Sequence, residues 1–258
     1  MDLGIAGRRA LVCASSSGLG LACAAALARE GCEVWINGRR TDRLAQAQAQ
    51  LAAAGAVVHA VAADLVTPAG RDALLAACPE PDILVNNNAG PPPGELADWD
   101  HAAWIAALEA NLLAPLLLVR AVLPGMRARR FGRIVNITSA MVKSPRATMA
   151  LSTTARTGLT AFCKAMSFEA AADNVTLNNL LPERIDTDRQ RFMAELRSAM
   201  GGITLEAAYA EMAASIAAGR LGTPEEFGAA CAFLCSAQAG YVSGQNLQLD
   251  GGSYPGLI

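Results

Sequence analysis

The sequence predicts an α/β fold in which a doubly wound parallel sheet of about seven strands carries helices on both faces. Short apolar runs alternate along the chain with longer segments of helical periodicity, a pattern typical of strands joined by crossover helices. No linker rich in serine, glycine or proline divides the 258 residues, of which 53% are hydrophobic and 17% charged. We therefore expect residues 1–258 to form one domain around its own core.

The predicted strands are spaced as crossover helices require. In chain order they are Arg9–Ala14, Glu33–Asn37, Val57–Ala62, Ile83–Asn86, Arg133–Thr138, Thr176–Leu181 and Asn246–Leu249. The predicted helices include Leu19–Glu30, Thr41–Ala54, Trp99–Arg130, Ser152–Ala172 and Pro224–Ser236. The segment 188–219 interrupts this alternation, and we interpret it as a helical lid. Because ligands of such sheets bind at the carboxyl ends of the strands, a site is expected there.

Composition excludes several classes of function. The formal net charge of −2 leaves no electrostatic footprint for nucleic acid. Glycine, proline or charge interrupts the apolar stretches before the ~20 residues that cross a bilayer. The seven cysteines are odd in number and lack Cys-x-x-Cys spacing, which favours neither disulfides nor a metal site. We expect no nucleic-acid, membrane or metal partner, and a reducing, cytoplasmic location.

A glycine-bearing turn follows the first predicted strand and precedes a helix. It reads Ala14-Ser-Ser-Ser-Gly-Leu-Gly20, and Gly18 and Gly20 permit a phosphate to approach the backbone closely. The N-terminus of the following helix presents N–H groups and a positive dipole end to such an anion. The turn is interpreted as a dinucleotide-binding loop, with a plain tight turn as the alternative.

The end of the second strand indicates which nucleotide is bound. An NAD-binding protein usually places a carboxylate there to hold the ribose hydroxyls, whereas this chain has Asn37-Gly-Arg39-Arg40. The guanidinium groups of Arg39 and Arg40 can hold a 2′-phosphate through charge-assisted hydrogen bonds. The sequence therefore favours NADP over NAD, with a solvated pair of charges as the alternative.

Further motifs, spread over the whole chain, resemble those of the short-chain dehydrogenase/reductase family, and of its 3-oxoacyl-reductase-like members in particular. They are Asp64-Leu65, Asn86-Asn-Asn-Ala-Gly90, Gly132-Arg-Ile-Val-Asn-Ile-Thr-Ser139, Pro182 with Ile185 and Thr187, Gly219-Arg220 with Pro224-Glu-Glu226, and Asp250-Gly-Gly252. The resemblance implies a Rossmann-type sheet. It also implies cofactor contacts from Ser15, Ser17, Gly18, Leu19, Gly20, Arg39, Arg40, Asp64, Leu65, Asn87, Arg156, Pro182, Ile185 and Thr187.

The family's catalytic group combines an asparagine, a serine and a Tyr-x-x-x-Lys pair. Asn111 and Ser139 match the first two members. Ser152 stands where the tyrosine is expected and Arg156 where the lysine is expected, with the register set by the Gly158-Leu159 that follows. No shift of frame restores the pair, because the tyrosines of the chain are Tyr209, Tyr241 and Tyr254 and its lysines are Lys143 and Lys164.

This replacement alters the expected chemistry. In ordinary members the tyrosine hydroxyl exchanges a proton with the substrate oxygen while hydride moves, and a serine hydroxyl is a much weaker acid. Arg156 can hold ribose or an anion but cannot relay a proton. Lys143, four residues after Ser139, is expected in the loop over the cleft, where its ammonium could replace the missing acid or bind a carboxylate substrate; a solvated lysine is the alternative. Ser152 is equally a candidate helix N-cap.

Two other positions depart from the family pattern. Ala14 replaces the first glycine of the nucleotide loop, and Glu183 replaces the glycine that normally follows Pro182. A carboxylate at Glu183 could block the nicotinamide pocket, or it could form an ion pair with Arg156. The ion pair between Glu183 and Arg156 is a hypothesis, and it requires their side chains to lie within hydrogen-bonding distance.

Three functions remain open. The first is an NADP-dependent carbonyl or 3-oxoacyl reductase acting on a small molecule with an altered site, in which Ser139, with Ser152 or Lys143, polarises the substrate oxygen. The second is a non-redox lyase resembling halohydrin dehalogenases, and the third is a nucleotide-binding protein without chemistry. The resemblance also implies a homotetramer or homodimer formed through the helices of Trp99–Arg130 and Ser152–Ala172.

Overall fold

Seven parallel strands form one sheet in the computed structural model, which describes residues 2–257. They are β1 (Arg9–Val12), β2 (Glu33–Gly38), β3 (Val58–Ala62), β4 (Ile83–Asn86), β5 (Gly132–Ile137), β6 (Val175–Pro182) and β7 (Asn246–Leu249). Their order across the sheet is β3-β2-β1-β4-β5-β6-β7, so the strand order reverses between β1 and β4. The predicted doubly wound α/β sheet is confirmed, and each predicted strand is present within two residues of its expected ends.

Helices cover both faces of this sheet. Within the described residues they are α1 (Gly18–Arg29), α2 (Thr41–Ala53), α3 (Pro68–Ala77), α4 (His101–Leu108), α5 (Ala114–Ala128), α6 (Ala150–Ala170), α7 (Asp188–Gly201), α8 (Leu205–Ala214) and α9 (Pro224–Cys235). Helix α3 was not predicted. The segment 188–219 contains α7 and α8, which pack on each other through Ala194, Ala208 and Met212; that it acts as a lid stays a prediction.

The predicted helix Trp99–Arg130 is not one regular α-helix. A turn of π-helix, Glu109–Leu113, separates α4 from α5. Pro115 has no N–H to donate to the carbonyl of Asn111, so the regular i to i−4 ladder cannot continue through this point. The break turns Asn111 into the protein interior, where its side chain is 3% exposed.

The core is divided by the sheet into two apolar layers. On one face, α1 and α9 pack closely because residue 228 is glycine. A Cβ at this position would lie only 2.5 Å from the backbone oxygen of Ala22. The other layer contains Leu118 and Met126 of α5 with Cys163 of α6. All seven cysteines are free and buried, as small core residues would be.

One helical segment is long and apolar enough to cross a membrane by length and composition. His101–Ala128 spans 28 residues, with a mean hydropathy of 1.8 over its most apolar window. The segment contains Glu109, Pro115 and Arg120, so the expected interruptions by charge and proline are present, but none of them ends the helical segment. The core helix of a soluble protein passes the same test, so the finding is weak evidence for a membrane span.

Candidate functional site

A cleft of about 630 Å3 opens at the carboxyl ends of the central strands, where the parallel sheet was expected to bind a ligand. It brings together most of the predicted site residues. Those lining it are Ser17, Gly18, Leu19, Arg39, Arg40, Asp64, Leu65, Asn87, Ser139, Ser152, Arg156, Pro182, Ile185 and Thr187. Four predicted residues, Ser15, Gly20, Asn111 and Lys143, do not line it.

Ser15 and Gly20 support the nucleotide loop from behind instead of facing the cleft. The Ser15 hydroxyl donates to the Val12 carbonyl at 2.7 Å and accepts from the Asn37 N–H at 2.9 Å. Gly20 is required because a Cβ there would collide with the carbonyl oxygen of Ala14. These contacts of Ser15 and Gly20 fix the backbone of the loop before α1. The two residues therefore affect a ligand only by shaping that backbone.

The loop itself is shaped to receive an anion. Gly18 has a φ of +56° and Ala14 a φ of +44°, so Ala14 adopts a left-handed conformation that favours the glycine it replaces. The Ser17 side chain does not cap the N-terminus of α1. The first turn of α1 therefore presents N–H groups and a positive dipole end to the cleft, as a pyrophosphate site requires.

Three arginines stand at the end of the cleft beside β2. Arg40 donates to both carboxylate oxygens of Asp42, at 3.3 and 2.7 Å, and this contact lowers the pKa of Asp42 to about 2. Arg39 is 70% exposed and lies 3.9 Å from Asp64. Arg43 also lines the cleft; its place in the first turn of α2 could have indicated it, but the prediction missed it. These residues could hold a 2′-phosphate.

Ser139 follows β5 and faces the cleft. Its hydroxyl oxygen accepts the Met141 N–H at 3.1 Å, which leaves the hydroxyl hydrogen available for a ligand oxygen. The turn after Ser139 leads Lys143 away from the cleft. Outside the cleft, its ammonium stands 5.2 Å from the centre of the Tyr254 ring. The expectation that Lys143 lies over the cleft is therefore corrected.

Ser152 and Arg156 lie one turn apart on α6. Ser152 is the third residue of this helix, whose N-cap is Met149, so the interpretation of Ser152 as an N-cap was wrong. Its hydroxyl oxygen instead accepts a hydrogen bond from Arg156 Nε at 3.2 Å. The backbone of Gly90 covers the pair, since a Cβ at Gly90 would lie 3.5 Å from the Ser152 hydroxyl oxygen.

The Arg156 guanidinium is buried among neutral groups. Besides Ser152 it donates to the carbonyl of Ile137 at 2.7 Å and to that of Asn88 at 3.2 Å. Burial, with the nearby charge of Arg189, lowers the pKa of Arg156 to about 10. The group is still a cation at neutral pH.

The hypothesis of an ion pair between Glu183 and Arg156 was wrong. Glu183 accepts a hydrogen bond from Arg146 at 3.0 Å, and its side chain is 14% exposed. Glu183 lines the cleft, so its carboxylate faces the ligand site at the position where the family has glycine.

Asn111 lines a separate small cavity behind the cleft. Its side-chain nitrogen is 3.4 Å from the Ala107 carbonyl and 3.5 Å from that of Ala89, while its side-chain oxygen is buried with no partner among the described residues. The cavity, of about 10 Å3, has room for about one water molecule. Arg156 lines both the cavity and the cleft.

Comparison with known proteins places this geometry in context. A family model described as enoyl-(acyl carrier protein) reductase matches residues 13–254. The 3-oxoacyl-(acyl-carrier-protein) reductase FabG of Vibrio cholerae is 34% identical over 257 residues, covering 98% of this chain and 99% of the relative. The D-beta-hydroxybutyrate dehydrogenase of Cupriavidus necator is 32% identical, covering 95% of this chain and 97% of the relative.

Solved structures agree with these relatives. The L-sorbose reductase of Gluconobacter frateurii, complexed with NADPH and L-sorbose, superposes with a TM-score of 0.95 at 31% identity, covering 100% of both chains. YwfH, an NADPH-dependent reductase, gives a TM-score of 0.91 at 29% identity, covering 98% of this chain and 100% of the other. The backbone arrangement of NADPH-binding reductases is thus retained across the whole length of this chain.

Proposed function

The chain belongs to the short-chain dehydrogenase/reductase family, and from this premise we propose that it is an NADP-dependent carbonyl reductase in which Ser152 and Arg156 replace the usual tyrosine and lysine. Bound NADPH supplies a hydride, which reduces the carbonyl carbon of the substrate to an alcohol. The protein must then hold the substrate and deliver one proton to its oxygen. The observation that carries the proposal is the hydrogen bond from Arg156 Nε to the Ser152 oxygen, 3.2 Å long, at the cleft.

The cofactor site supports NADP. The N-terminus of α1 suits the pyrophosphate, and Asp64, Leu65 and Asn87 line the region between it and the strand ends. The basic group at the end of β2, in place of a carboxylate, suits the 2′-phosphate. The L-sorbose reductase of Gluconobacter frateurii was solved with NADPH bound, in agreement with this choice.

We assign the proton to the hydroxyl of Ser152, which passes it to the substrate oxygen and regains one from water entering the open cleft. Because its oxygen accepts from the Arg156 cation, its hydrogen is free to point at a substrate oxygen, and the positive charge stabilises the negative charge that develops there. Ser139 supplies a second donor to the same oxygen. Within residues 2–257, no histidine, cysteine, lysine or tyrosine lines the cleft. Its carboxyl groups are those of Asp64, Glu183 and Asp188, and each of them stands within 4.0 Å of an arginine.

A weaker acid implies a slower enzyme. A placed general acid contributes about 10² to 10⁴ in rate, and a serine hydroxyl recovers only part of this. The positioning of cofactor and substrate is a separate contribution that does not depend on the acid. We therefore expect slow but measurable turnover.

NADPH oxidation by a panel of ketones, 3-oxoacyl thioesters and sugars tests this function, after calorimetry has measured NADPH and NADH binding. We expect NADPH to bind more tightly than NADH, and S152A to lower kcat/KM at least about tenfold. S144A is the matched control, because Ser144 lies in the loop between β5 and α6, close in sequence to Ser152, but does not line the cleft.

The alternatives give different results in the same experiment. A lyase resembling halohydrin dehalogenases would bind neither nucleotide. A nucleotide-binding protein without chemistry would bind NADPH but oxidise none of it. Unchanged turnover in S152A would contradict the proposed role of Ser152.

A further inference from the structure

The cleft carries far more positive charge than the rest of the chain. Seven arginines line it: Arg39, Arg40, Arg43, Arg146, Arg156, Arg184 and Arg189. Three carboxylates line it: Asp64, Glu183 and Asp188. The whole chain has a formal net charge of −2, so this concentration of guanidinium groups is local to the site.

The carboxylates of the cleft are already engaged. Each stands beside an arginine of its own: Asp64 is 3.9 Å from Arg39, Glu183 is 3.0 Å from Arg146, and Asp188 is 3.6 Å from Arg43. Arg40 pairs with Asp42 outside the cleft. Among residues 2–257, Arg156, Arg184 and Arg189 are therefore left without a carboxylate within 4.0 Å.

Of these three arginines, Arg156 is buried, and Arg184 and Arg189 are partly buried. Arg156 is 8% exposed, and burial lowers the pKa of Arg184 and Arg189 below the usual value for arginine. Arg189 donates to the carbonyl of Pro91 at 3.0 Å, which joins the start of α7 to the loop after β4. Arg184 has a φ of +53°, a backbone conformation that an arginine adopts only at a cost.

The cleft also contains a buried polar atom that lacks a hydrogen-bond partner within the described residues. Gln190, next to Arg189, also lines the cleft, and its side-chain oxygen is buried without a hydrogen-bond partner in the described part of the chain. The charge of Arg189 also lowers the pKa of Arg156, so the two cations repel each other in a partly desolvated site. Uncompensated buried charge is unfavourable, and a bound anion relieves it.

We propose that the substrate carries an oxyanion group, and that Arg189, with Arg184 and the positive charge of Arg156, binds it at the Ser152 end of the cleft. This inference rests on the proposed function, because it assigns the anion to the carbonyl substrate. The cofactor phosphates have their own partners at α1 and at the end of β2. Arg189 instead reaches the Gly90–Pro91 loop, which covers Ser152, so its anion lies close to the proposed proton donor.

Calorimetry with an unreactive anion tests the site without requiring turnover. Malonate is titrated into the protein with and without saturating NADP+, and malonamide serves as the uncharged probe of similar shape. We expect malonate to bind in both conditions and malonamide to bind at least about tenfold more weakly, since a charge-assisted hydrogen bond is lost. Equal binding of the two probes would overturn the proposal. Competition between malonate and NADP+ would overturn it as well, by assigning the anion to the cofactor.

Arg189→Gln and Arg191→Gln form a matched pair of variants. Both remove one charge from α7, but Arg191 pairs with Glu195 and is 67% exposed, outside the cleft. We expect R189Q to weaken malonate binding at least about tenfold and R191Q to leave it within about twofold. R189K, which keeps the charge but loses the planar fork, should fall between them. Equal effects of R189Q and R191Q would refute a direct contact.

The experiments distinguish the proposed anion site from the proposed reductase function. Malonate binding that depends on Arg189, in a protein that binds no nucleotide, supports the anion site and contradicts the proposed function. NADPH oxidation with neutral carbonyls, in a protein that does not bind malonate, supports the reductase and overturns the anion site.

Discussion

Ser152 and Arg156 act as a unit that differs from a tyrosine and lysine in reach as well as in acidity. The serine hydroxyl stays near the helix backbone, beside the backbone of Gly90, whereas the hydroxyl of a tyrosine lies at the far end of an aromatic ring. The planar guanidinium bridges the Ser152 hydroxyl and the carbonyls of Ile137 and Asn88. A lysine ammonium at Arg156 could not make these divergent contacts from one rigid fork.

The pH dependence of turnover follows from Arg156. Its pKa is lowered to about 10, so the guanidinium is charged below that value and loses its proton as the pH rises through it. Ser152 keeps its cationic partner throughout the neutral range. We expect kcat/KM for NADPH-dependent reduction to be level between about pH 6 and pH 9 and to fall near pH 10.

Steady-state kinetics across this range, with substrate whose own charge is constant, measures the profile. A fall in kcat/KM with a midpoint between about pH 6 and pH 8 would show that another group donates the proton. In that case the assignment of the proton to Ser152 fails, whatever the rate.

At the scale of elements, we expect the turn between β2 and α2 to determine the preference for NADPH over NADH. The sequence does not distinguish Arg39 from Arg40 as the ligand of the 2′-phosphate. In the structure, Arg40 forms an ion pair with Asp42, whereas the side chain of Arg39 is 70% exposed. We expect R39A to weaken NADPH binding at least about tenfold, and R40A to weaken it less, because Arg40 must give up part of its ion pair to bind phosphate. NADH binding should change little in either variant.

Fluorescence titration of NADPH and NADH measures both affinities. R29A is a suitable control, since it removes an exposed arginine from the end of α1, away from the cleft. An equal loss of NADPH and NADH affinity in R39A would mean that Arg39 does not recognise the 2′-phosphate.

Strands and helices could be predicted where a pattern of neighbouring residues in the sequence specifies them. Strands that are largely buried, such as β1 and β4, leave continuous apolar runs and could be placed from the sequence. The edge strands β3 and β7 are partly exposed but keep apolar residues between the helical segments. The π turn at Asn111 has no periodic signature and depends on the missing N–H of Pro115. The ion pair between Arg146 and Glu183 joins residues far apart in the chain, and the path of the loop after Ser139, which carries Lys143 away, depends on tertiary packing.

For the whole molecule, the outer surface of α4 to α6 is the least explained part. Ile105, Leu113 and Phe168 are 45%, 37% and 73% exposed, on elements that pack against one another. Apolar residues this exposed on adjoining helices favour burial against another surface. The family resemblance implies a homotetramer or homodimer formed through the same helices.

We therefore expect the native mass to be at least twice the 26.6 kDa of one chain, and F168R to reduce it, because a guanidinium would be forced into an apolar contact between copies. Light scattering coupled to size-exclusion chromatography measures both masses. V57R is the matched control, since Val57 is 58% exposed but lies at the other edge of the sheet, beside β3. A wild-type protein that elutes as one chain, or that sediments with lipid vesicles through His101–Ala128, would show that this apolar surface serves another purpose.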